Sequence, residues 1–241
     1  MNGSKKILAL SRKTQHKQAA QLLRFFITST GAQAKMYFAR YQAFEHALHL
    51  PPVESTFEAL SNRFHFHLNE SAVSLSEENF LSLSRTPDHL DSTTPFLPIT
   101  IYLDHLRSSH NVGSIVRTTE ALRLGTIVFS AQTPDHNHPK VQKRAMGASL
   151  YVPAKKASLE ACPHPFIALE TLAHARPYYD VTFPQHPFTL LLGNEEYGLS
   201  HKALQHADQV ISIPLVGAKN SLNVACAFAI IAAEIRRQAS S

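Results

Sequence analysis

Apolar positions along the chain follow a helical period at first and a strand-and-helix alternation later. Ala19, Leu22, Leu23, Phe26 and Ile27 recur at helical spacing across residues 15–27 and leave Lys17, Gln21 and Arg24 opposite, which predicts one amphipathic helix. After Gly31, a second series of Ala34, Tyr37, Phe38, Tyr41, Phe44 and Leu48 runs to the stop at Pro51-Pro52. Its regular period predicts buried aromatics rather than rings stacked on unpaired bases. Residues 53–83 read as a helix, a short strand around Phe64 to Leu68, and a helix opened by Ser74 with Glu77 at capping-box spacing. Together these make a small α/β module.

Residues 84–98 are dense in Ser, Thr, Asp and Pro with little periodicity, the composition of a linker. Beyond it the pattern changes. Residues 99–103, 126–129, 166–169, 189–192 and 210–213 are short, β-branched or apolar runs, with helical stretches between most of them. That alternation predicts an α/β fold with a mainly parallel sheet covered by helices, whose ligands bind in loops beyond the strand C-termini. The expected division is residues 1–97, a basic substrate-binding module with its linker, and residues 98–241, the domain carrying the sheet.

A chain of 241 residues, 44% hydrophobic and 17% charged, buries proper cores, which excludes disorder as the global state. Charge alters the picture at one end. Met1 to Phe44 holds eight basic residues (Lys5, Lys6, Arg12, Lys13, Lys17, Arg24, Lys35, Arg40) and no acid, the footprint of a polyanion such as RNA. An organelle targeting segment has the same look and stays as an alternative. No apolar run reaches the ~20 residues of a membrane-spanning helix. Cys162 and Cys226 fit no disulfide or metal framework, so a reduced, cytoplasmic setting is expected. The histidine pairs His65/His67 and His136/His138 lack cysteine or helical acid partners, so no metal is expected. There is no GxGxxG segment, which disfavours conventional dinucleotide binding.

Three segments carry candidate chemistry. In the first, around Asn111, Gly113 and Arg117, Asn111 suits a helix N-cap and Arg117 points away from the stripe of Val112, Ile115 and Val116. Taken alone, Arg117 reads as a surface arginine paired with Glu120. The second places Gly193 and Gly198 around Glu195, directly after an apolar run, where glycines let the backbone approach a ligand or make a tight turn. The third runs from Ile213 through Gly217 to Ser221, Leu222 and Asn223, with Ser221 a natural N-cap for a helix whose free N–H groups face ligand oxygens.

In this order and spacing, NxGxxxR, GxExxGL and IPxxGxxxSLN, the segments resemble the three motifs of the SpoU, or TrmH, family of RNA methyltransferases in the SPOUT superfamily. The resemblance covers residues 99 to about 238, and the stretch Arg144 to Gly147 with Val152-Pro153 resembles the family between its first two motifs. It implies a C-terminal trefoil knot, which periodicity could not show. It also implies S-adenosylmethionine as cofactor and S-adenosylhomocysteine as product. Gly193, Ile213 and Leu222 would contact the cofactor, and Asn111, Arg117, Glu195, Ser221 and Asn223 would form the catalytic surroundings. The implied reaction is ribose 2′-O-methylation of tRNA or rRNA, on guanosine and with a lean to tRNA, by a homodimer whose partner completes the substrate site. Ser109-His110 stand where the family often has Asp-Pro, and Ala225-Cys226-Ala227 where Ser-Val-Ala is common. A non-catalytic RNA-binding protein on the same scaffold is the alternative function.

Overall fold

The structure is a computed structural model that describes residues 7–72 and 93–240. The chain forms two compact units, Met1–His89 and Leu90–Ser241.

Among its described residues the first unit packs three main helices: α1 (Arg12–Thr28), α2 (Gly31–Ala47) and α3 (Phe57–Glu70). Ser11 and Thr56 cap α1 and α3, their hydroxyls accepting from Thr14 N–H and Ala59 N–H. Ala19, Ala20 and Leu23 meet Tyr41 and Phe44 of α2 and Leu60, Phe64 and Leu68 of α3 in one core. This corrects the strand expected at 64–68: those residues lie inside α3. The alternation in Phe64-His65-Phe66-His67 suggests period two, yet Leu60, Phe64, His67 and Leu68 are the buried positions, at helical spacing. The Ser74–Glu77 capping box falls outside the described residues, as does most of the linker.

A polar network threads this apolar core. His16 Nδ1 and His67 Nδ1 lie 2.9 Å apart, Tyr41 Oη lies 3.2 Å from His67 Nε2, and Arg63 donates to Tyr41 Oη and to Glu45. A short Nδ1 to Nδ1 contact needs one donor and one acceptor, so it requires at least one neutral ring. Burial first, then the neighbouring His16 and Arg63 charges, pushes His67 down to about 3.

The second unit is a seven-stranded, fully parallel sheet: β1 (Ile99–Leu103), β2 (Gly125–Phe129), β3 (Ala154–Lys156), β4 (Phe166–Leu169), β5 (Arg176–Pro177), β6 (Phe188–Leu192) and β7 (Gln209–Ser212). Spatial order is β3-β2-β1-β6-β4-β7-β5. All five predicted strands are present, and β3 and β5 are short additions. Along β1 the pleat sends Ile99, Ile101 and Leu103 into one core and Tyr102 into the other, so both faces are covered. Helices α4 (Ser109–Ala121), α5 (Pro139–Ala145) and α7 (Val224–Ala239) contribute to the larger core, while α6 (His201–His206) contributes Ala203 to the smaller. Phe228, Ile231 and Ile235 form the buried stripe of α7. The chain adds β2 and β3 on one side of β1 and the other strands on the opposite side. A crevice lies beyond the C-terminal ends of β6, β4 and β7. Among the described residues no helix is long and apolar enough to cross a membrane.

Candidate active site

A cleft of about 790 Å³ occupies that crevice, a size suited to a nucleoside-sized ligand. Its walls are the end of β4, the loop after β6, the end of β7 and the segment 219–224 leading into α7. Gly193, Glu195, Ile213, Ser221, Leu222 and Asn223 all line it. Motif residues distant in sequence thus share one cavity.

At its mouth the three segments are joined by hydrogen bonds. Glu195 Oε1 accepts from Asn111 Nδ2 at 2.9 Å and from Ser108 N–H at 3.1 Å, and Oε2 accepts from Arg107 N–H at 3.0 Å. Asn111 Oδ1 in turn accepts from Asn223 Nδ2 at 3.0 Å. Asn223 Oδ1 accepts from Ala225 N–H and Cys226 N–H, the first turn of α7. A continuous path therefore runs from the Glu195 carboxylate through both asparagines to a helix N-terminus. Partial burial pushes the Glu195 carboxyl up, but the N–H donors of Arg107, Asn111 and Ser108 outweigh it and hold its pKa below the usual carboxylate value.

The loop carrying Glu195 folds back on itself, Asn194 and Gly198 exchanging N–H···O bonds of 2.8 and 3.0 Å. A side chain on Gly193 would clash with the backbone of Gly198 and Leu199. Gly198 has φ +75°, and a side chain there would strike the Glu170 carboxylate, whose Oε2 accepts from Leu199 N–H at 2.9 Å. Each glycine of this segment thus answers a separate steric demand. Asn194 Nδ2 also bonds to the His105 carbonyl, fixing the loop after β6 to the loop after β1.

Residues 98–233, more than half the chain, match the model of the SpoU rRNA methylase family. The chain belongs to that family. It is 29% identical over 143 residues to the 23S rRNA (guanosine(2553)-2′-O)-methyltransferase of Bacillus subtilis, covering 56% of this chain and 57% of that one. It is likewise 29% identical over 148 residues to the tRNA (guanosine(18)-2′-O)-methyltransferase of Escherichia coli, covering 58% and 63%. The chain thus spans roughly three fifths of these relatives. Among solved structures, an AdoMet-bound rRNA methyltransferase from Sinorhizobium meliloti superposes with TM-score 0.54 at 28% identity, over 60% of each chain. The SpoU methyltransferase AviRb of Streptomyces viridochromogenes, in complex with AdoMet, gives 0.53 at 28% over 63% of each.

Within this SpoU-family unit two helix starts differ from expectation. Ser108, not Asn111, caps α4, its hydroxyl accepting from Asn111 N–H, which leaves the Asn111 side chain for Glu195 and Asn223. Asn223, not Ser221, caps α7, so Ser221 stays in the exposed segment along the cleft. In both cases a second capping residue lies within three positions, and sequence offers no way to rank them. Gly113 is buried against α5: an added Cβ would come within 2.6 Å of Arg144 Cβ, which explains this glycine by helix packing.

Arg117 stands apart. It is exposed on α4, does not line the cleft, and its Nη1 lies 2.9 Å from Met146 Sδ, while Glu120 pairs with Arg123 at 3.8 Å. The expected Arg117–Glu120 surface pair is not formed. Of the two histidine pairs, His67 is buried in the first unit and His138 caps α5. Glu170 is a cleft residue that sequence reasoning missed. The available signal was an acid immediately after a buried apolar strand, at the end of the sheet where ligands bind.

Proposed function

We propose that this chain is an S-adenosylmethionine-dependent RNA methyltransferase that methylates the ribose 2′-hydroxyl of a guanosine in tRNA or rRNA and releases S-adenosylhomocysteine. The observation that carries this reading is the Glu195–Asn111–Asn223 path, which ties all three motif segments together at the mouth of one cleft. The activities named for the relatives support guanosine 2′-O-methylation, and the AdoMet-bound neighbours support the cofactor. When bound, S-adenosylmethionine supplies a methyl group on a sulfonium for in-line displacement.

Gly193, Ile213 and Leu222 would contact the cofactor, largely through backbone groups that the glycine-lined turn leaves accessible. Ser221 and Asn223 would orient the acceptor nucleotide by hydrogen bonds, with Asn111 holding Asn223 in place. Glu195 is a positioning group: both oxygens are engaged, and its lowered pKa makes it a poor proton acceptor. Arg117 would act as a charge clamp on the developing alkoxide and a neighbouring phosphate, while that phosphate or water takes the proton.

Because Arg117 does not line the cleft of its own chain, we read the substrate site as completed by a second copy, a homodimer. Met146, 43% exposed, with Leu150 and Tyr151, 84% and 47% exposed, forms an apolar group near Arg117 of the kind a second copy would cover. In the first unit, the exposed Lys13, Lys17, Lys35 and Arg40 would meet RNA phosphates, consistent with residues 1–97 as a substrate-binding region. The segment 213–223 is read as part of the family's trefoil knot, and the expected setting is the cytoplasm. Transfer of labelled methyl from S-adenosylmethionine to total RNA, compared with Arg117→Ala, tests the reading. RNA binding without transfer by the unmodified chain would favour the non-catalytic alternative.

A further inference from the structure

Among the described residues three carboxylates line the cleft, and they differ in what their oxygens already do. Glu195 accepts three hydrogen bonds across the motif segments, and Glu196 reaches outward to Arg107 at 2.6 Å. Glu170 is different. It directly follows β4, its own N–H continues the sheet ladder to Ile211 O at 3.0 Å, and its side chain takes one N–H on each oxygen: Thr171 on Oε1 and Leu199 on Oε2, both at 2.9 Å. A carboxylate has about four acceptor directions, so each Glu170 oxygen keeps one. The group is locked by backbone on two sides and therefore loses little further freedom on binding.

Resting on the cofactor reading above, we propose that Glu170 binds the ribose hydroxyls of the adenosyl moiety, as a specificity residue for a ribonucleoside-bearing ligand. Two acceptor oxygens held side by side match the two donors of a cis-diol. An acid beyond a strand C-terminus in a parallel sheet is positioned as ribose-binding acids are. The same geometry explains Gly198, since any side chain there would occupy the space of the carboxylate and displace it.

The decisive variant is Glu170→Gln, whose amide oxygen still accepts from Leu199 N–H while its NH₂ removes one acceptor. Calorimetry on the full chain would use S-adenosylhomocysteine, an analogue lacking both ribose hydroxyls, and 5′-methylthioadenosine, which lacks the amino-acid tail. The unmodified chain should prefer S-adenosylhomocysteine to the deoxy analogue by roughly 10- to 100-fold, the scale of hydrogen bonds to a charged group. Glu170→Gln should shrink that preference to about threefold or less with affinity for the deoxy analogue little changed, while Thr171 N–H, left facing the new NH₂, lowers the unfolding midpoint slightly. Equal weakening of all three ligands would reduce Glu170 to a loop anchor and overturn the proposal. A selective loss of preference for S-adenosylhomocysteine over 5′-methylthioadenosine would reassign Glu170 to the ammonium group and overturn it equally. If the unmodified chain binds none of the three, the cofactor reading itself fails and takes this inference with it.

Discussion

Asn223 does two jobs with one amide, and Asn223→Asp separates them. The side-chain Oδ1 caps α7 through Ala225 N–H at 2.9 Å and Cys226 N–H at 3.3 Å, while Nδ2 donates to Asn111 Oδ1 at 3.0 Å. Aspartate caps helices about as well as asparagine, and its charge at the helix N-terminus adds roughly 0.3–1 kcal/mol in favour. The cap should therefore hold or strengthen slightly, and net stability should stay within about 1 kcal/mol once the lost contact below is counted. The donor to Asn111 is lost, and a carboxylate oxygen faces an amide oxygen. Rotating the Asn111 amide would mend that contact only by turning its oxygen toward Glu195. One end of the path stays broken, at a cost of about 0.5–1.5 kcal/mol locally. Methyl transfer should fall on the order of 100-fold, as expected from small misplacement of a reacting group. Asn223→Ala is the contrast, losing the cap as well, for about 0.5–2 kcal/mol. Urea unfolding, cofactor calorimetry and initial transfer rates at saturating S-adenosylmethionine would be measured on all three proteins. An aspartate variant as active as the unmodified chain, or one whose rate loss tracks instability, would refute the separation of roles.

Other expectations follow from named contacts. Gly198→Ala should destabilise the second unit by at least about 1 kcal/mol and abolish cofactor binding, because φ +75° and the Glu170 carboxylate both oppose a side chain; urea titration and calorimetry check it. His67 titrates near 3 when folded but near 6.5 when unfolded. Its burial as a neutral ring therefore costs nothing above pH 7, and stability falls as pH drops below 6.5, by about 2 kcal/mol at pH 5. Hydrogen exchange of α1–α3 in the full chain should show that loss, and His67→Gln should reduce it. Arg117→Lys should lower transfer roughly tenfold or more without adding an ionisation to the pH–rate profile, since lysine lacks the bidentate fork. Full rate with an alkaline-shifted profile would instead point to direct proton transfer.

Sequence reached furthest where burial sets the pattern. Strands β1, β2, β4 and β6 are buried or nearly so, and such runs announce themselves without knowledge of partners; β7 is partly buried and shows itself by its apolar Val210 and Ile211. Edge strands β3 and β5 are two or three residues long and partly exposed, so no hydrophobic run marks them. The segment around Phe64 misled because four residues satisfy a period of two, and only the buried Leu60 four positions earlier decides for a helix. Six of the eight candidate site residues line the cleft, Asn111 bonds to two of them, and Arg117 stands outside. What the motifs could not convey is direction. That Asn111 spends its side chain on Glu195 and Asn223, rather than on capping α4, depends on Ser108 already holding the cap. Glu170 lay hidden because its contact with Leu199 spans 29 residues and arises only when β4 and β6 pair.

The chemical position of the transferred methyl decides whether this cleft serves ribose methylation. The chain, S-adenosylmethionine carrying labelled methyl, and total RNA would be incubated, and the RNA digested to nucleosides for mass spectrometry. Label is expected in 2′-O-methylguanosine, recovered as an alkali-resistant dinucleotide and lost with Arg117→Ala. Label on a base carbon or nitrogen, or no label under conditions where S-adenosylhomocysteine and RNA both bind, would contradict ribose methylation.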